Sequence, residues 1–274
     1  MNLPLKVSVV IRNKDEAEFL GFVLEALRCQ DVKPFDIVVV DNESEDHSLQ
    51  IARKFGAKIV TLPKNSFTYG KSANRGVRET KGDVCIILSA HALPLGPHFI
   101  AECLRPFSDE QIAMARCVMV GKKADLTRWL HPQIIRYPVD LEEILSKGAM
   151  TTCCAIRKTV WSEIPFDEEV DIIEDKLWGF EVLKRGYALY SPCQAFYFYM
   201  KKIPPLTMVF RNIREATVVY EKTGKTPTGN VIMKNLFIEL FYGGPAGLLQ
   251  CWTCAILKAF LLFKLKLTAG VGKK

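Results

Sequence analysis

The sequence has no stretch of about 20 apolar residues free of charge, which is what a membrane-crossing helix requires. Its most apolar segment, Ile238–Leu257, carries Glu239 and is broken by Gly243, Gly244 and Pro245, and Lys258, Lys264 and Lys266 interrupt the residues beyond it. A span is therefore not expected; interfacial attachment to one face of a membrane fits better, with a buried terminal helix as the alternative. No charged-then-apolar leader with a small-residue cleavage site opens the chain, since Lys6 leads straight into a strand-like run, so a cytosolic protein is expected. The nine cysteines are odd in number and lack framework spacing, which excludes a disulfide scaffold and leaves reduced thiols. Cys251 and Cys254 form a C-x-x-C with no two further ligands nearby, so no zinc site is expected there. Internal repeats and low-complexity segments are absent as well. A hydrophobic share of 49% and a charged share of 24% exclude a disordered chain.

What is present is unevenly distributed. From Met200 onward twelve Lys or Arg stand against three Glu, a net of +9 where the whole chain is +7, which leaves residues 1–199 at −2. A nearly neutral body with a basic, apolar tail points to an anionic membrane surface as partner. Nucleic acid is not expected, because the basic residues are interleaved with aliphatic runs rather than with exposed aromatics and glycines.

At 274 residues the chain suits one sizeable α/β domain with a small appended module, the boundary marked by Pro204-Pro205. The expected division is 1–203, with halves 1–95 and 96–203, followed by a helical tail over 204–274. In the first half, strand-like runs at Lys6–Ile11, Asp36–Val40, Lys58–Leu62 and Asp83–Leu88 alternate with helical patterns at Asp15–Gln30, Ser44–Phe55 and Lys71–Thr80. Short connections between them predict a mostly parallel central sheet with helices on both faces. The second half is less regular, with strands at Gln111–Val118, Met150–Ile156 and Tyr187–Tyr190, a loop-rich excursion over Asp125–Leu145 and a helix at Glu174–Arg185. Ligands of such sheets bind at the carboxyl ends of the strands. Polar Arg12, Asn13, Asp41, Asn42, Ser89 and His91 follow almost wholly apolar strands there, which is the first sign of a site.

The runs Ser8–Glu16 (SVVIRNKDE), Asp36–Ser44 (DIVVVDNES), Tyr69–Gly76 (YGKSANRG), Gly82–Pro94 (GDVCIILSAHALP) and Ile173–Gly186 (IEDKLWGFEVLKRG) resemble, in order and spacing, family 2 glycosyltransferases with the GT-A fold. The resemblance covers about residues 5–200 and is strongest to the bacterial rhamnosyltransferase-like, polysaccharide-assembly branch. It implies an inverting sugar transferase with a nucleotide-sugar donor; together with the basic, apolar tail it leads us to expect a lipid-linked or polysaccharide acceptor and a peripheral or monotopic place at the cytoplasmic face of the cell membrane.

The resemblance also implies roles. Asp41 matches the acid that accepts a hydrogen bond from the nucleobase, with capping of the next helix as the plain alternative. Asn13 and Arg12 match the first loop at the nucleotide; Lys71, Asn74 and Arg75 match the motif flanking it. The fourth strand of this family normally ends in Asp-x-Asp, the second Asp holding a divalent metal on the diphosphate; this chain has Ser89-Ala90-His91. Something cationic must still meet the leaving diphosphate. At 4 Å and an effective dielectric near 20 one opposite charge is worth on the order of 4 kcal/mol. His91 could ligate manganese or magnesium, or assist Lys71 and Arg12 without a metal. Tyr197 and Tyr199 stand where the family often completes the metal shell with a His, and phenol is a poor ligand at neutral pH. Glu174-Asp175 matches the acidic pair at the acceptor, with Asp175 as base, Glu174 orienting it, and Trp178 stacking on acceptor sugar or packing in the core. Two other readings are a non-catalytic membrane-bound scaffold, favoured by the missing Asp-x-Asp, and a nucleotidyltransferase, disfavoured because Arg12–Asp15 contains no glycine.

Overall fold

Alternate residues of the first strand face opposite ways, and each set meets a different helix. Val7, Val9 and Ile11 of β1 (Val7–Asn13) pack with Leu20, Val23, Leu24 and Leu27 of α1 (Ala17–Arg28), while Val10 joins Ala73 and Val77 of α3 (Tyr69–Arg78) on the other face. This period of two in a strand buried on both faces makes Val7–Ile11 apolar apart from the buried Ser8, rather than alternating. In the computed structural model, residues 5–120, 130–139 and 141–204 are described, with Thr207, Arg211, Arg214, Glu215, Val218 and Val219 beyond them. The chain divides into two compact units, Met1–Lys201 and Lys202–Lys274; nearly all of the expected tail lies outside the described residues.

The first unit contains an eight-stranded sheet in the order β3-β2-β1-β4-β9-β6-β10-β8. The strands β1, β2 (Asp36–Asp41), β3 (Lys58–Thr61) and β4 (Val84–Ser89) are parallel, with α1, α2 (Ser48–Lys54) and α3 as crossovers. Beyond β4 the sheet becomes mixed. β9 (Cys153–Arg157) runs antiparallel to both β4 and β6 (Ile112–Arg116), β10 (Ala188–Ser191) returns parallel to β6, and β8 (Gln133–Ile135) forms an antiparallel edge. A second sheet, unexpected from the strand pattern, joins β5 (Ala92–Pro94), β11 (Phe196–Tyr199) and β7 (Val118–Val120). The remaining α-helices are α4 (Phe99–Leu104), α5 (Leu141–Lys147), α6 (Lys158–Glu163) and α7 (Glu174–Lys184). Among the described residues no helix is long and apolar enough to cross a membrane.

Two helix starts differ from expectation for local reasons. Ser44 does not cap α2, because its hydroxyl donates to Asp41 Oδ1 at 2.6 Å, and the helix begins only at Ser48. The α3 helix starts earlier than its apolar pattern suggests, because Thr68 Oγ1 accepts the Lys71 amide at 3.1 Å as an N-cap.

α3 lies so close to the sheet that a Cβ on Gly76 would stand 2.3 Å from Val10 Cγ1 and 2.8 Å from Val40 Cγ2. Gly76→Ala is accordingly expected to destabilise the domain by about 1–3 kcal/mol, by forcing α3 off the strands. Urea denaturation checks this, with a lowered midpoint at unchanged slope as the expected result.

Candidate active site

The carboxyl ends of β1, β2 and β4 carry the polar residues that follow apolar strands. Asp41 ends β2 wholly buried; its Oδ1 accepts from Asn13 Nδ2 (2.8 Å) and Ser44 Oγ (2.6 Å), and its Oδ2 from the Ser44 amide (2.9 Å). Asp41 and Asn13 are thus brought together, as partners of one another. The loops after β1 and β2 are tied by further bonds: Lys14 Nζ donates to Glu43 O (2.7 Å) and the Glu45 amide to Asp15 Oδ1 (2.7 Å). Asp15 and Glu43 both hold a left-handed backbone, with φ of 48° and 51°.

Arg12, one residue before the end of β1, crosses to the other half of the domain. Its Nη2 donates to Thr151 O at 2.8 Å, its Nη1 lies 3.7 Å from Glu174 Oε1, and its guanidinium stands 5.4 Å from the Tyr69 ring centre. The side chain is 9% exposed, yet its Nε and Nη1 have no hydrogen-bond acceptor among the described residues. Buried donors without acceptors are costly, so this guanidinium is prepared for an anion. Thr151 serves the acidic pair from the same spot: its amide donates to Asp175 Oδ2 (2.9 Å) and its hydroxyl to Glu174 Oε1 (2.8 Å). The Lys176 amide holds Asp175 Oδ1 at 2.8 Å. The acids open α7, immediately after Ile173, whose φ of 63° is a strained conformation for a β-branched residue. Glu174 is buried, and its carboxyl is pushed up to about 7 by desolvation and by the Asp175 charge, against the pull of Arg12 and Thr151.

A second cluster surrounds His91, in the turn between β4 and β5. Its Nδ1 lies 3.2 Å from Glu16 Oε1, which also receives Lys201 Nζ at 2.6 Å, and its ring meets Tyr199 edge-on at 4.6 Å. The Met200 amide donates to His91 O at 2.9 Å and so fixes the end of β11 against this turn. Burial, the largest influence, pushes Glu16 upward, but the nearby His91 and the hydrogen-bonded Lys201 ammonium outweigh it and hold the carboxyl below its ordinary value.

The other expected residues divide. Ser89 lies at the tip of β4, where its amide donates to Thr152 O (3.0 Å) beside the Arg12 junction. Lys71 is half-buried in the first turn of α3, its ammonium without a hydrogen bond or ion pair among the described residues. Arg75 pairs with Glu79 at 3.5 Å on the solvent side of α3. Asn74 does not face a nucleotide: it is buried, donates to Phe166 O and Glu168 Oε1 (both 2.9 Å), and accepts from Trp161 Nε1 (2.8 Å) and the Phe166 amide (3.1 Å). Trp178 cannot stack on an acceptor: it is 2% exposed, donates to Ile164 O at 2.5 Å and packs on Phe166. Tyr197 is wholly buried, and Tyr199 borders His91. Sequence reasoning missed Thr151, Glu16 and Lys201. Glu16 ends the SVVIRNKDE motif, but nothing in a single sequence singles out a threonine in a strand-like run or a lysine after one.

The raised Glu174 carboxyl makes stability pH-dependent. A folded value near 7 against an ordinary 4.5 favours the folded state below about pH 4.5, and this advantage is lost as pH rises through 7, on the order of a few kcal/mol in all. Glu174→Gln is expected to flatten this dependence and raise the midpoint above pH 7, which thermal melts from pH 5 to 8 measure.

Residues 8–164, more than half of the chain, match the family description "Glycosyl transferase family 2". The O-antigen chain rhamnosyltransferase RfbN of Salmonella typhimurium is 23% identical over 196 residues, covering 67% of this chain and 62% of that protein, so the chain spans under two thirds of this relative's length. The mannosyltransferase PcManGT of Pyrobaculum calidifontis, solved with GDP-Man and Mn2+, superposes with a TM-score of 0.61 at 16% identity, over 100% of this chain and 82% of its own. The glucosyl-3-phosphoglycerate synthase of Mycobacterium tuberculosis, solved with Mn2+ and UDP, gives 0.56 at 17% identity and 82% coverage of both chains. These likenesses establish the GT-A fold, and with the motif-bearing strand ends and acidic pair in place, the chain belongs to glycosyl transferase family 2.

Proposed function

We propose that this chain transfers a sugar, with inversion, from a nucleotide-sugar to a lipid-linked or polysaccharide acceptor of a cell-surface glycan. The observation that carries the reading is the double use of Thr151, whose carbonyl holds Arg12 and whose amide holds Asp175. One residue therefore sets a cation and a carboxylate on either side of a common point. In a single displacement the acceptor oxygen attacks the anomeric carbon as the bond to the diphosphate breaks. Asp175 takes the hydroxyl proton, and Arg12, with unused donors, meets the charge on the leaving group. Glu174 positions both, through Thr151 and Arg12. Likeness to a rhamnosyltransferase supports a deoxyhexose. The basic, apolar composition of 204–274 supports attachment to an anionic membrane surface at the cytoplasmic face, with residues 1–95 holding the donor and 96–203 the acceptor.

A divalent cation such as Mn2+ or Mg2+ fits this site in part. His91 and Glu16 would hold it, and it would supply positive charge to the diphosphate; Glu16 Oε2 is buried without a partner. Lys201 already places an ammonium on the same carboxylate, and no third His, Cys, Asp or Glu ligand gathers there among the described residues. A metal would thus compete with a built-in charge. Lys201→Ala is expected to make transfer more dependent on Mn2+ than in the parent protein, and rate measurements with and without chelator decide it. Asp175→Asn is expected to lower transfer by about 10²–10⁴-fold with nucleotide-sugar affinity unchanged. Near-normal turnover in that variant, by radiolabelled transfer assay, removes Asp175 as the base; no turnover in the parent with any donor favours a scaffold.

A further inference from the structure

Apart from the residues of the proposed chemistry, four cysteines come together inside the first unit. Cys103 sits on α4, Cys117 at the break between β6 and β7, Cys153 at the start of β9, and Cys193 in the turn between β10 and β11. All four are buried, at 0–1% exposure. The sulfurs of Cys103, Cys117 and Cys193 all lie within 4.8 Å of one another, with Cys103 and Cys117 3.7 Å apart. The Cys153 sulfur lies outside that group of three. Backbone bonds hold the arrangement: the Cys117 amide donates to Cys153 O (3.2 Å) and the Cys193 amide to Arg116 O (2.8 Å).

This is not the arrangement of a disulfide, which needs two sulfurs in contact and leaves the others aside. A tetrahedral zinc with bonds of about 2.3 Å separates its sulfur ligands by roughly 3.8 Å, close to the observed Cys103–Cys117 spacing. Three thiolates around a divalent ion leave one negative charge. Arg116, itself 3% exposed, adjoins Cys117 in sequence and brings a positive charge close to the site.

We propose that Cys103, Cys117 and Cys193 form a buried structural site for a soft divalent cation, zinc above all. Zinc would join three chain segments, among them the break between β6 and β7 where the central sheet passes into the small sheet bearing Tyr199. Such a site, with all three cysteines buried, takes no part in sugar transfer.

The test uses the full chain, purified under reducing conditions from zinc-supplemented cells without chelator. About one equivalent of zinc per chain should survive desalting, by elemental analysis, and Co2+ exchanged into the parent protein should give thiolate-to-cobalt charge-transfer absorption. Cys103→Ser and Cys193→Ser should each lose most of the zinc, while Cys29→Ser, a change at an exposed cysteine, keeps it. Removal by a strong chelator should lower the melting temperature of the parent. Under about 0.1 equivalent of zinc with no cobalt charge-transfer band overturns the proposal, without need of any variant. So does zinc that persists in both variants, which places it elsewhere, or an intact-mass loss showing a disulfide within the cluster.

Discussion

The arrangement of the site depends on one backbone segment, Thr151, and on the cation it receives. Arg12 lies at the end of a strand in the parallel half, and Thr151 precedes β9, the antiparallel strand inserted beside β4. Because β9 pairs with β4 from Leu88 opposite Cys153 onward, the residues just before it necessarily lie beside the tips of β1 and β4. A carbonyl there can accept from Arg12 while the amide of the same residue holds Asp175. Without that insertion the acids would lose the Thr151 amide and hydroxyl that hold them beside Arg12.

The electrostatics derive from the same geometry. Arg12 is buried with Glu174, but the pair is imperfect: 3.7 Å is long for a salt bridge, and two guanidinium nitrogens remain without acceptors. A buried pair contributes little to stability unless it is fully hydrogen-bonded. Its incompleteness is therefore better understood as preparation for an anion than as a structural tie. Glu16 shows the contrasting solution, a buried carboxylate answered by both His91 and Lys201 and kept charged despite burial. The two clusters divide the labour at the strand ends: one is left open to a negative ligand, the other is already neutralised.

Much of the polar character of the YGKSANRG segment is structural. Asn74 joins α3 to the 161–168 segment with four hydrogen bonds, Gly70 would place a Cβ 2.2 Å from Asp167 O, and Gly76 admits the sheet. A motif recognised by its residues can thus serve the fold at several positions, while the Lys71 ammonium keeps no hydrogen bond or ion pair among the described residues. The same holds for Trp178, whose indole closes the core beneath the acids.

The sequence alone determined the α/β class, the strand-helix alternation through β4, the polar strand ends and the acidic pair, because these depend on local periodicity and on motifs contiguous in the chain. It could not supply Thr151, Glu16 or Lys201. Each acts through a partner far away in sequence, Lys201 across 185 residues to Glu16, and single residues of ordinary type carry no local signal of such meetings. Nor could it show that cysteines without framework spacing converge, since spacing describes the chain and convergence describes the sheet. Only the tertiary structure decided which polar residues face a ligand and which are consumed by the fold. That is a question of which hydrogen-bonding groups remain unanswered once the backbone is packed, and packing is not encoded one segment at a time.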